Sequence, residues 1–413
     1  MDFKFEMQEE TRRGARIKVI GVGGGGSNAV GRMFEAGLDG VEFYVMNTDS
    51  QALEASPVPN KIQIGAKITN GLGAGSDPEI GRRAALEDTE RILGILEGAD
   101  LVFVTAGLGG GTGAGAAPVV ASLAKSLDAL TIAIVTKPFA FEGAKRMAQA
   151  DISVTDLADS VDILTTIPNE RLLKIAPRGT GMKQAFLLAD EVLRQAVEGI
   201  SEIILTPGLI NLDFSDIRAA ILGMGHALIG NASATGEDAA IDAARGAINS
   251  PLLEDTKIWG ARQVLMNITA SREIGLHEMS EACSLIREAC GSGDTHVSFG
   301  VIEKPGMGDE VRVTVIATGF PAAPPVERED ALEILPAEDF FAPREPGSPL
   351  PATSAGVSAG MSAVMPAPAQ IPLPEPVIEP EPAMAAAAHA PSGHTFDDEL
   401  DVPAYLRQGK LLS

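Results

Sequence analysis

Two glycine-rich turns contain the residues whose types and spacing could do chemistry. Residues 107–115 read Gly-Leu-Gly-Gly-Gly-Thr-Gly-Ala-Gly and stand between the apolar segment 101–105 and an alanine-rich stretch that begins a helix. A second turn, 21–26, follows the strand-like segment 16–20. Because glycine has no side chain, backbone N–H groups can approach an oxyanion, and the helix dipole favours negative charge at this position. Two such turns predict a ligand with several phosphates, held from two sides.

The first turn has more than one interpretation. Gly21, Gly23 and Gly26 fit the dinucleotide fingerprint, and Asp49 stands where a ribose-binding acid would be. Glycines needed only for close packing of a strand against a helix would give the same pattern. The second glycine turn, which dinucleotide enzymes do not require, favours a nucleoside polyphosphate. A NAD-dependent oxidoreductase remains the alternative, although no residue stands out as a partner for hydride transfer.

Charged residues at helical spacing form a second group of candidates. Asp213 and Asp216 precede the apolar segment 217–222, where the first would cap a helix and the second would be a favourable first-turn acid. Two acids at this spacing also point to one side of a helix start, which suits the binding of a water or a hydrated Mg²⁺ beside a phosphate. Glu142 and Arg146, four residues apart, would form an ordinary surface ion pair.

The elements that position these residues follow from hydrophobic patterning. Between about residues 16 and 164, continuous apolar runs alternate with helix-like segments, as in a parallel sheet covered on both faces. We therefore predict a doubly wound α/β domain. Asp77 followed by Pro78 is a helix start signal, and this helix is predicted to run to about Glu97. The apolar runs are 17–22, 41–46, 101–105, 131–136 and 161–166.

The remainder of the chain divides into five further regions. Apolar residues at helical spacing predict one long central helix over 182–205, followed by a smaller α/β domain over 206–319. Beyond it most of the 27 prolines occur among alanines, serines and glutamates, a composition that buries too little apolar surface to offset chain entropy. We predict a flexible N-terminus at 1–15, a nucleotide-binding domain at 16–181, a disordered linker at 320–396 and a docking peptide at 397–413.

Composition excludes several classes of function. With 56 acidic and 32 basic residues, the chain carries a formal net charge of −24, which repels nucleic acid and anionic lipid. No apolar run approaches the ~20 residues of a membrane-spanning helix, and no signal peptide is present. Cys283 and Cys290 would lie about 10 Å apart on one helix, too far to pair. We predict a cytoplasmic protein with free thiols, without nucleic-acid binding, direct membrane insertion or a protein-bound metal site.

Six short motifs occur in an order that identifies a family. They are Gly-Gly-Gly-Gly-Ser-Asn-Ala-Val at 23–30, Asn-Thr-Asp at 47–49, Gly-Gly-Gly-Thr-Gly-Ala-Gly at 109–115, Phe-Glu-Gly-Ala-Lys-Arg at 141–146, Ile-Pro-Asn-Glu-Arg at 167–171 and Asn-Leu-Asp-Phe-Ser-Asp-Ile-Arg at 211–218. Together they resemble the FtsZ family, the bacterial tubulin-like division GTPases. The resemblance covers about residues 17–319 and the C-terminal peptide. It implies a tubulin-like GTPase domain joined by one long helix to a smaller α/β domain.

The resemblance also implies GTP or GDP as the ligand, with Mg²⁺ carried by the nucleotide. Glu142 and Arg146 match the family's ribose and nucleotide contacts. Asn169 and Asp190 match the guanine readers, and Phe186 matches the ring that stacks on the base. A carboxylate at 190 can accept hydrogen bonds from guanine N1–H and from the exocyclic amine, which adenine cannot offer. The phosphate loops are matched by Gly24, Gly25, Gly26, Ser27, Asn28, Ala74, Gly75, Gly111, Thr112 and Gly113.

Catalysis and partners are likewise implied by the resemblance. Asn211, Asp213 and Asp216 match a loop that enters the nucleotide site of the next subunit, where carboxylates orient water for attack on the γ-phosphate. GTP hydrolysis would then require head-to-tail assembly into a division-ring filament at mid-cell, with a non-hydrolysing GTP-binding scaffold as the alternative. The resemblance also implies a C-terminal peptide that docks to membrane-tethering division proteins and regulators. The residues that match this peptide are Asp401, Pro403, Tyr405, Leu406 and Arg407.

Three segments depart from the usual pattern of that family. They are Thr-Gly-Met-Lys at 180–183, Thr-Ala-Ser-Arg at 269–272 and Asp-Thr-His-Val at 294–297. All three lie outside the nucleotide motifs. We expect them to affect local loops and lateral contacts rather than the chemistry.

Overall fold

A computed structural model describes residues 14–250, 258–271, 274–291 and 295–320. The predicted linker and the docking peptide with Asp401, Pro403, Tyr405, Leu406 and Arg407 lie outside the described residues, as does nearly all of the predicted N-terminal segment. Within the described ranges the strands are β1 Ile17–Val22, β2 Val41–Asn47, β3 Asn60–Gln63, β4 Leu101–Gly107, β5 Leu130–Lys137, β6 Ile163–Pro168, β7 Gly225–Thr235, β8 Gln263–Ala270, β9 His296–Glu303 and β10 Glu310–Thr318.

The helices of the same ranges alternate with these strands. They are α1 Gly23–Glu35, α2 Ser50–Ala55, α3 Ala66–Thr69, α4 Pro78–Glu87, α5 Thr89–Leu96, α6 Thr112–Ser126, α7 Ala144–Ser160, α8 Asn169–Ile175, α9 Met182–Leu205, α10 Phe214–Ile221, α11 Ala239–Ile248 and α12 Leu276–Cys290, with a short 3₁₀ helix at Ala140–Glu142. Among these helices, none is long and apolar enough to cross a bilayer.

The strands form one sheet in the order β3-β2-β1-β4-β5-β6-β7-β10-β8-β9. All pairs from β3 to β6 are parallel, as the continuous apolar runs predict. β7 continues this sheet through only two register pairs with the start of β6. Beyond it, β10 runs antiparallel to β7 and β8, and β9 lies parallel to β8. The predicted α/β architecture with a second, smaller sheet region is therefore confirmed.

Both faces of the parallel region are buried. Successive residues of a strand point to opposite faces. Val19 accordingly joins a cluster with Val197 of α9, while its neighbour Ile20 joins a second cluster with Ala117 of α6. Every residue of β1 is buried, so the absence of alternation in its sequence reflects two packed helix layers.

One predicted helix is divided in the structure. The segment expected to run from Pro78 to about Glu97 forms α4 and α5, which are separated at Asp88. The Asp88 carboxylate accepts a hydrogen bond from the Gly65 N–H at 2.8 Å, and its backbone leaves the helical region. The prediction of a single helix was wrong because a contact with a distant loop competes with helix continuation at this residue.

The long helix α9 links the two sheet regions. It has 24 residues, or about 36 Å at 1.5 Å per residue. Its buried face contains Leu193 and Val197, which join the first cluster. Farther along, Lys304 Nζ lies 2.5 Å from Glu202 Oε1, and Arg312 Nη1 lies 3.5 Å from Glu198 Oε1. Packing and ion pairs along this helix thus attach it to both regions.

The contact between α4 and α6 depends on glycine. A Cβ on Gly115 would collide with the Pro78 carbonyl oxygen and lie 2.7 Å from Arg82 N. We predict that Gly115→Ala lowers the free energy of unfolding by about 1–3 kcal/mol, the usual cost of overpacking. Urea unfolding followed by circular dichroism measures this.

Gly94→Ala is the matched control. Gly94 lies within α5, and a Cβ there meets no atom within 4 Å. Alanine loses less conformational entropy than glycine in a helix, so this change should raise stability by ~0.5–1 kcal/mol. Equal effects of the two substitutions would show that close approach at α4–α6 is not what Gly115 provides.

Candidate functional site

A cavity of about 610 Å³ opens at the carboxyl ends of β1, β2, β4, β5 and β6. We call it the glycine cavity, because both glycine turns contribute to its wall. Its volume is in the range of small-ligand sites. Eleven of the predicted nucleotide-binding residues line it: Gly24, Gly25, Asn28, Gly111, Thr112, Gly113, Glu142, Arg146, Asn169, Phe186 and Asp190.

The four other predicted nucleotide-binding residues do not line the cavity. Gly26 lies beneath it, where a Cβ would collide with the Thr105 carbonyl oxygen. Ser27 is also buried, and its Oγ has no hydrogen-bond partner among the described atoms. Ala74 is buried against Gly111, and Gly75 has a left-handed φ of 59° with open space where a side chain would be. These four residues shape the loops behind the wall.

The two glycine turns contact each other. Gly23 has a φ of 70°, and a Cβ on it would lie 2.7 Å from Gly113 N. These turns begin α1 and α6, and no side chain accepts a hydrogen bond at either helix N-cap. The first-turn N–H groups are therefore left for a ligand, and the helix dipoles favour an anion. A phosphate satisfies both requirements.

Thr112 is the hydroxyl residue of the second turn. Its Oγ1 lies 2.6 Å from Oγ1 of Thr48, and either oxygen can be the donor. Thr48 is fully buried, and its carbonyl oxygen accepts hydrogen bonds from Thr69 Oγ1 and Gly73 N–H at 3.3 Å each. The loop containing Gly73 is thereby connected to the base of the glycine cavity. If Thr48 donates, the Thr112 proton is left for a phosphate oxygen.

Glu142 and Arg146 form the ion pair that their spacing predicts. Arg146 Nη1 lies 2.5 Å from Glu142 Oε2, and the arginine side chain is 47% exposed. The other carboxylate oxygen of Glu142 accepts a hydrogen bond from Phe139 N–H at 2.9 Å. Glu142 therefore also holds the short 3₁₀ helix in place. Both side chains line the cavity, so the surface interpretation and a ligand-binding role are compatible.

The opposite end of the cavity is lined by an amide and a ring. Asn169 is 4% exposed, and its Oδ1 has no hydrogen-bond partner among the described atoms. An unsatisfied buried acceptor costs about 1–3 kcal/mol, so it indicates a missing donor. Phe186 is 39% exposed and meets the Phe139 ring edge-on at 5.4 Å, leaving one face available to a planar ligand.

Asp190 lies beside this pair in a desolvated position. Burial raises the pKa of its carboxyl group to about 6, although Arg32 opposes that shift. Arg32 Nε lies 2.9 Å from Asp190 Oδ2. The cavity therefore combines backbone donors at one end with an amide, an aromatic ring and a carboxylate at the other.

The predicted catalytic residues lie outside the cavity. Asp213 caps α10, accepting a hydrogen bond from Asp216 N–H at 2.8 Å, as the helix-cap interpretation predicts. Asn211 Oδ1 accepts one from Gly208 N–H at 2.5 Å. Arg218 of α10 binds Asp128, two residues before the start of β5, at 2.7 Å. These residues therefore lie at the sheet edge where strands begin.

Several cavity residues were not among the predicted binding residues. Asp49 had been considered only as a ribose-binding acid, and its carboxylate caps α2 through the N–H groups of Gln51 and Ala52. These additional cavity residues are Asn47, Asp49, Ala52, Gly73, Ser76, Gly107, Leu108, Gly110, Thr136, Pro138 and Ala189. Their position in the sequence could have identified them, because most of them follow the carboxyl end of a parallel strand.

No group of three or more His, Cys, Asp or Glu is placed to hold a metal ion in the ranges that the structure describes. Cys283 and Cys290 are free thiols, as predicted. The fold and the glycine cavity together define a nucleotide-binding protein with a tubulin-like architecture.

Comparison with known proteins identifies the family of the chain. The signature described as "Tubulin/FtsZ family, GTPase domain" matches residues 16–177, and that of the "FtsZ family, C-terminal domain" matches residues 225–321. FtsZ of M. jannaschii, in a structure described as an empty dimer, is 41% identical with a TM-score of 0.70. That match covers 74% of this chain and 88% of the other. The chain belongs to the FtsZ branch of the Tubulin/FtsZ family of GTPases.

Two further structures are similar in fold. CetZ1 from Haloferax volcanii, described as a GDP-bound monomer, is 24% identical with a TM-score of 0.65; the match covers 75% of this chain and 96% of that chain. CetZ2 from the same organism, described as a GTPγS-bound protofilament, is 24% identical with a TM-score of 0.66; the match covers 75% and 94%. At this identity the similarity concerns the fold alone.

The raised pKa of Asp190 predicts a specific pH dependence of stability. The folded protein binds this proton more tightly than the unfolded chain, whose carboxyl group has a pKa of 3.8. Its contribution is therefore complete below about pH 4 and is lost as pH rises through about 6. Asparagine does not titrate, so the stability of the unaltered protein relative to Asp190→Asn should fall by about 2–3 kcal/mol between pH 4 and 7.5. Urea titrations at several pH values measure this, and parallel curves for the two proteins would contradict it.

Proposed function

We propose that the glycine cavity binds GTP and GDP. The uncapped N-termini of α1 and α6 would hold the phosphates, through the loops at Gly24, Gly25, Gly26, Ser27 and Asn28, at Ala74 and Gly75, and at Gly111, Thr112 and Gly113. The residues that line the cavity and the loops behind its wall would act together. Backbone N–H groups rather than side chains would supply the hydrogen-bond donors, and these loops set the course of the backbone. Glu142 and Arg146 would contact the ribose. Mg²⁺ would arrive with the nucleotide and be held mainly by its phosphates.

Guanine would occupy the end of the cavity with Asn169, Phe186 and Asp190. The unpartnered Oδ1 of Asn169 is suited to accept a hydrogen bond from the base. The exposed face of Phe186 is suited to stacking, and an ionised Asp190 can accept from N1–H and the exocyclic amine together. Adenine lacks this pair of donors, so Asp190 would select GTP over ATP. The match to the Tubulin/FtsZ family of GTPases disfavours the oxidoreductase alternative.

The observation that carries the hydrolysis proposal is that the cavity and the acids occupy opposite edges of the sheet. β5 alone has eight residues, or about 26 Å at ~3.3 Å per residue. Asn211, Asp213 and Asp216 lie near its start, and the cavity lies beyond its end. A subunit therefore cannot bring its own acids to its own γ-phosphate. Head-to-tail stacking would bring one subunit's acids to its neighbour's nucleotide, where they would orient the attacking water.

Such a contact does not close on itself and gives open filaments. The dimer described for M. jannaschii FtsZ and the protofilament described for CetZ2 support self-association of this kind. We propose that hydrolysis is activated by polymerisation and that the filament forms the division ring at mid-cell in the cytoplasm. The 41% identity to FtsZ, against 24% to the CetZ proteins, favours this role.

Mixing two inactive variants tests the shared site. Asp213→Asn should keep the helix cap, since asparagine caps as well as aspartate, but lose the carboxylate. Gly24→Val adds a side chain to a cavity residue whose Cβ would meet no atom within 4 Å, so the protein should fold but exclude phosphate. Each alone should have little activity. Their mixture should release phosphate at junctions where an intact cavity meets an intact acid loop.

Phosphate release and light scattering, measured together after adding GTP and Mg²⁺, follow hydrolysis and assembly. Preserved urea stability of Asp213→Asn checks that the cap survives. Mixed polymers that form without restored hydrolysis would contradict the shared-site mechanism. GTP-dependent polymers of the unaltered protein that release no phosphate would indicate the non-hydrolysing scaffold instead.

We further propose that the C-terminal peptide docks to membrane-tethering division proteins through Asp401, Pro403, Tyr405, Leu406 and Arg407. The peptide restores apolar and aromatic residues after the proline-rich segment, a composition suited to a docking sequence. Removing residues 401–413 should leave GTP-dependent polymerisation unchanged but abolish capture by such a tether in a pull-down. Tyr405→Ala with Leu406→Ala should reproduce the loss in the full-length chain. Undiminished capture by both variants would contradict this assignment.

A further inference from the structure

Arg32 is an unassigned residue behind the wall of the glycine cavity. It lies in the last turns of α1, and its Nε is 2.9 Å from Oδ2 of Asp190 on α9. The arginine side chain is 40% exposed, whereas that of Asp190 is 13% exposed. Arg32 does not line the cavity, so any effect on a ligand must pass through Asp190.

Among the described residues, Arg32 is the ionic partner of Asp190, because the other charged groups nearby are paired with one another. Glu191, the next residue of α9, is bound by Arg194 through two hydrogen bonds of 2.6 and 2.8 Å and by Gln195. Across the cavity, Glu142 and Arg146 bind each other. The nearer cavity neighbours, Asn169 on α8 and Phe186 and Ala189 on α9, carry no charge. Without Arg32, burial alone would act on the carboxyl group and favour its neutral form.

A neutral carboxyl group would be a poor guanine reader. Its O–H oxygen is a donor, whereas guanine N1–H and its exocyclic amine both require acceptors. An ionised carboxylate offers acceptor lone pairs on both Oδ1 and Oδ2. Arg32 Nε lies 2.9 Å from Oδ2 but without the geometry of a hydrogen bond, so Arg32 acts on Asp190 through its charge and leaves these acceptors available.

We propose that Arg32 is the positioning residue for base specificity: its charge keeps Asp190 an ionised acceptor, so that the cavity selects a guanine nucleotide. This inference rests on the proposed function and deepens it. Arg32 stands eight residues after Gly24 on the same helix, or about 12 Å along its axis at 1.5 Å per residue. The helix that presents N–H groups to the phosphates thus also carries the counter-ion of the base-reading acid.

The test compares binding of GDP, IDP and ADP by calorimetry between pH 5.5 and 8.5. IDP lacks the exocyclic amine of guanine, so the ratio of GDP to IDP affinity reports the carboxylate contact. We expect Arg32→Gln to weaken GDP binding about fivefold at pH 6, where about half of the Asp190 carboxyl groups are ionised in the unaltered protein and about a tenth would be in the variant, and to leave ADP binding unchanged. The GDP-to-IDP ratio should fall toward one.

The pH profile separates positioning from a merely structural role. In the unaltered protein, GDP affinity should fall on acidification through about pH 6, where Asp190 becomes neutral. Arg32→Gln should move this midpoint upward by about one pH unit, because the opposing charge is removed. Arg32→Lys should restore most of the GDP affinity at pH 6. Arg83→Gln removes the same charge from an exposed residue of α4 outside the cavity and should change neither quantity.

Equal weakening of GDP, IDP and ADP by Arg32→Gln, with an unchanged pH midpoint, would show that Arg32 only supports the helix and would overturn the inference. Urea unfolding of each variant confirms that the protein compared is folded. If the unaltered protein binds GDP no better than ADP, the proposed function itself fails. Guanine preference that survives Arg32→Gln overturns this inference alone.

Discussion

The common direction of strands β1 to β6 is the constraint on which the rest of the molecule depends. In a parallel sheet every carboxyl end lies at one edge, so the turns after these strands meet there and form one cavity. The same rule sends every strand start to the other edge, where Arg218 of α10 binds Asp128. Separation of the ligand cavity from the acidic loop is thus a consequence of sheet polarity. The proposal of a site shared between stacked subunits rests on this separation.

Close backbone approach is the second requirement, and it explains why glycine occurs in both turns. Gly23 and Gly113 contact each other, so a side chain at Gly23 would displace the other turn. Behind the wall, Gly26 approaches β4 in the same way. The absence of side-chain caps on α1 and α6 then leaves backbone donors for an anion. An acidic protein can bind a polyphosphate in this way without a cluster of lysines.

The base end of the cavity works by a different principle. Asn169 and Asp190 are polar groups in a largely buried place, one lacking a partner and the other desolvated. Such groups are costly in the free protein and become favourable only when matching donors arrive. Arg32 reduces this cost for Asp190 by supplying the opposite charge from a neighbouring helix. Specificity for a base would therefore be built on groups that do not improve the stability of the free protein.

Most of the fold was predictable because its signals are local. Continuous apolar runs gave the parallel strands, and Asp77 with Pro78 marked the start of α4, where the carboxylate accepts a hydrogen bond from Glu79 N–H. The break at Asp88 was missed because it depends on Gly65, 23 residues earlier in the chain. The position of Ser27 beneath the cavity rather than in its wall also had no local signal.

The sequence by itself predicted the two glycine turns that line the cavity, because glycine spacing, helix starts and strand patterning are properties of neighbouring residues. It also identified the two acids of the α10 cap, since capping depends on a few consecutive residues. Only the tertiary structure decided that Arg32 faces Asp190, more than 150 residues away, and that the acids lie at the edge opposite the cavity. Both facts depend on which helices pack together and on which way the strands run, and no single stretch of sequence encodes these relations.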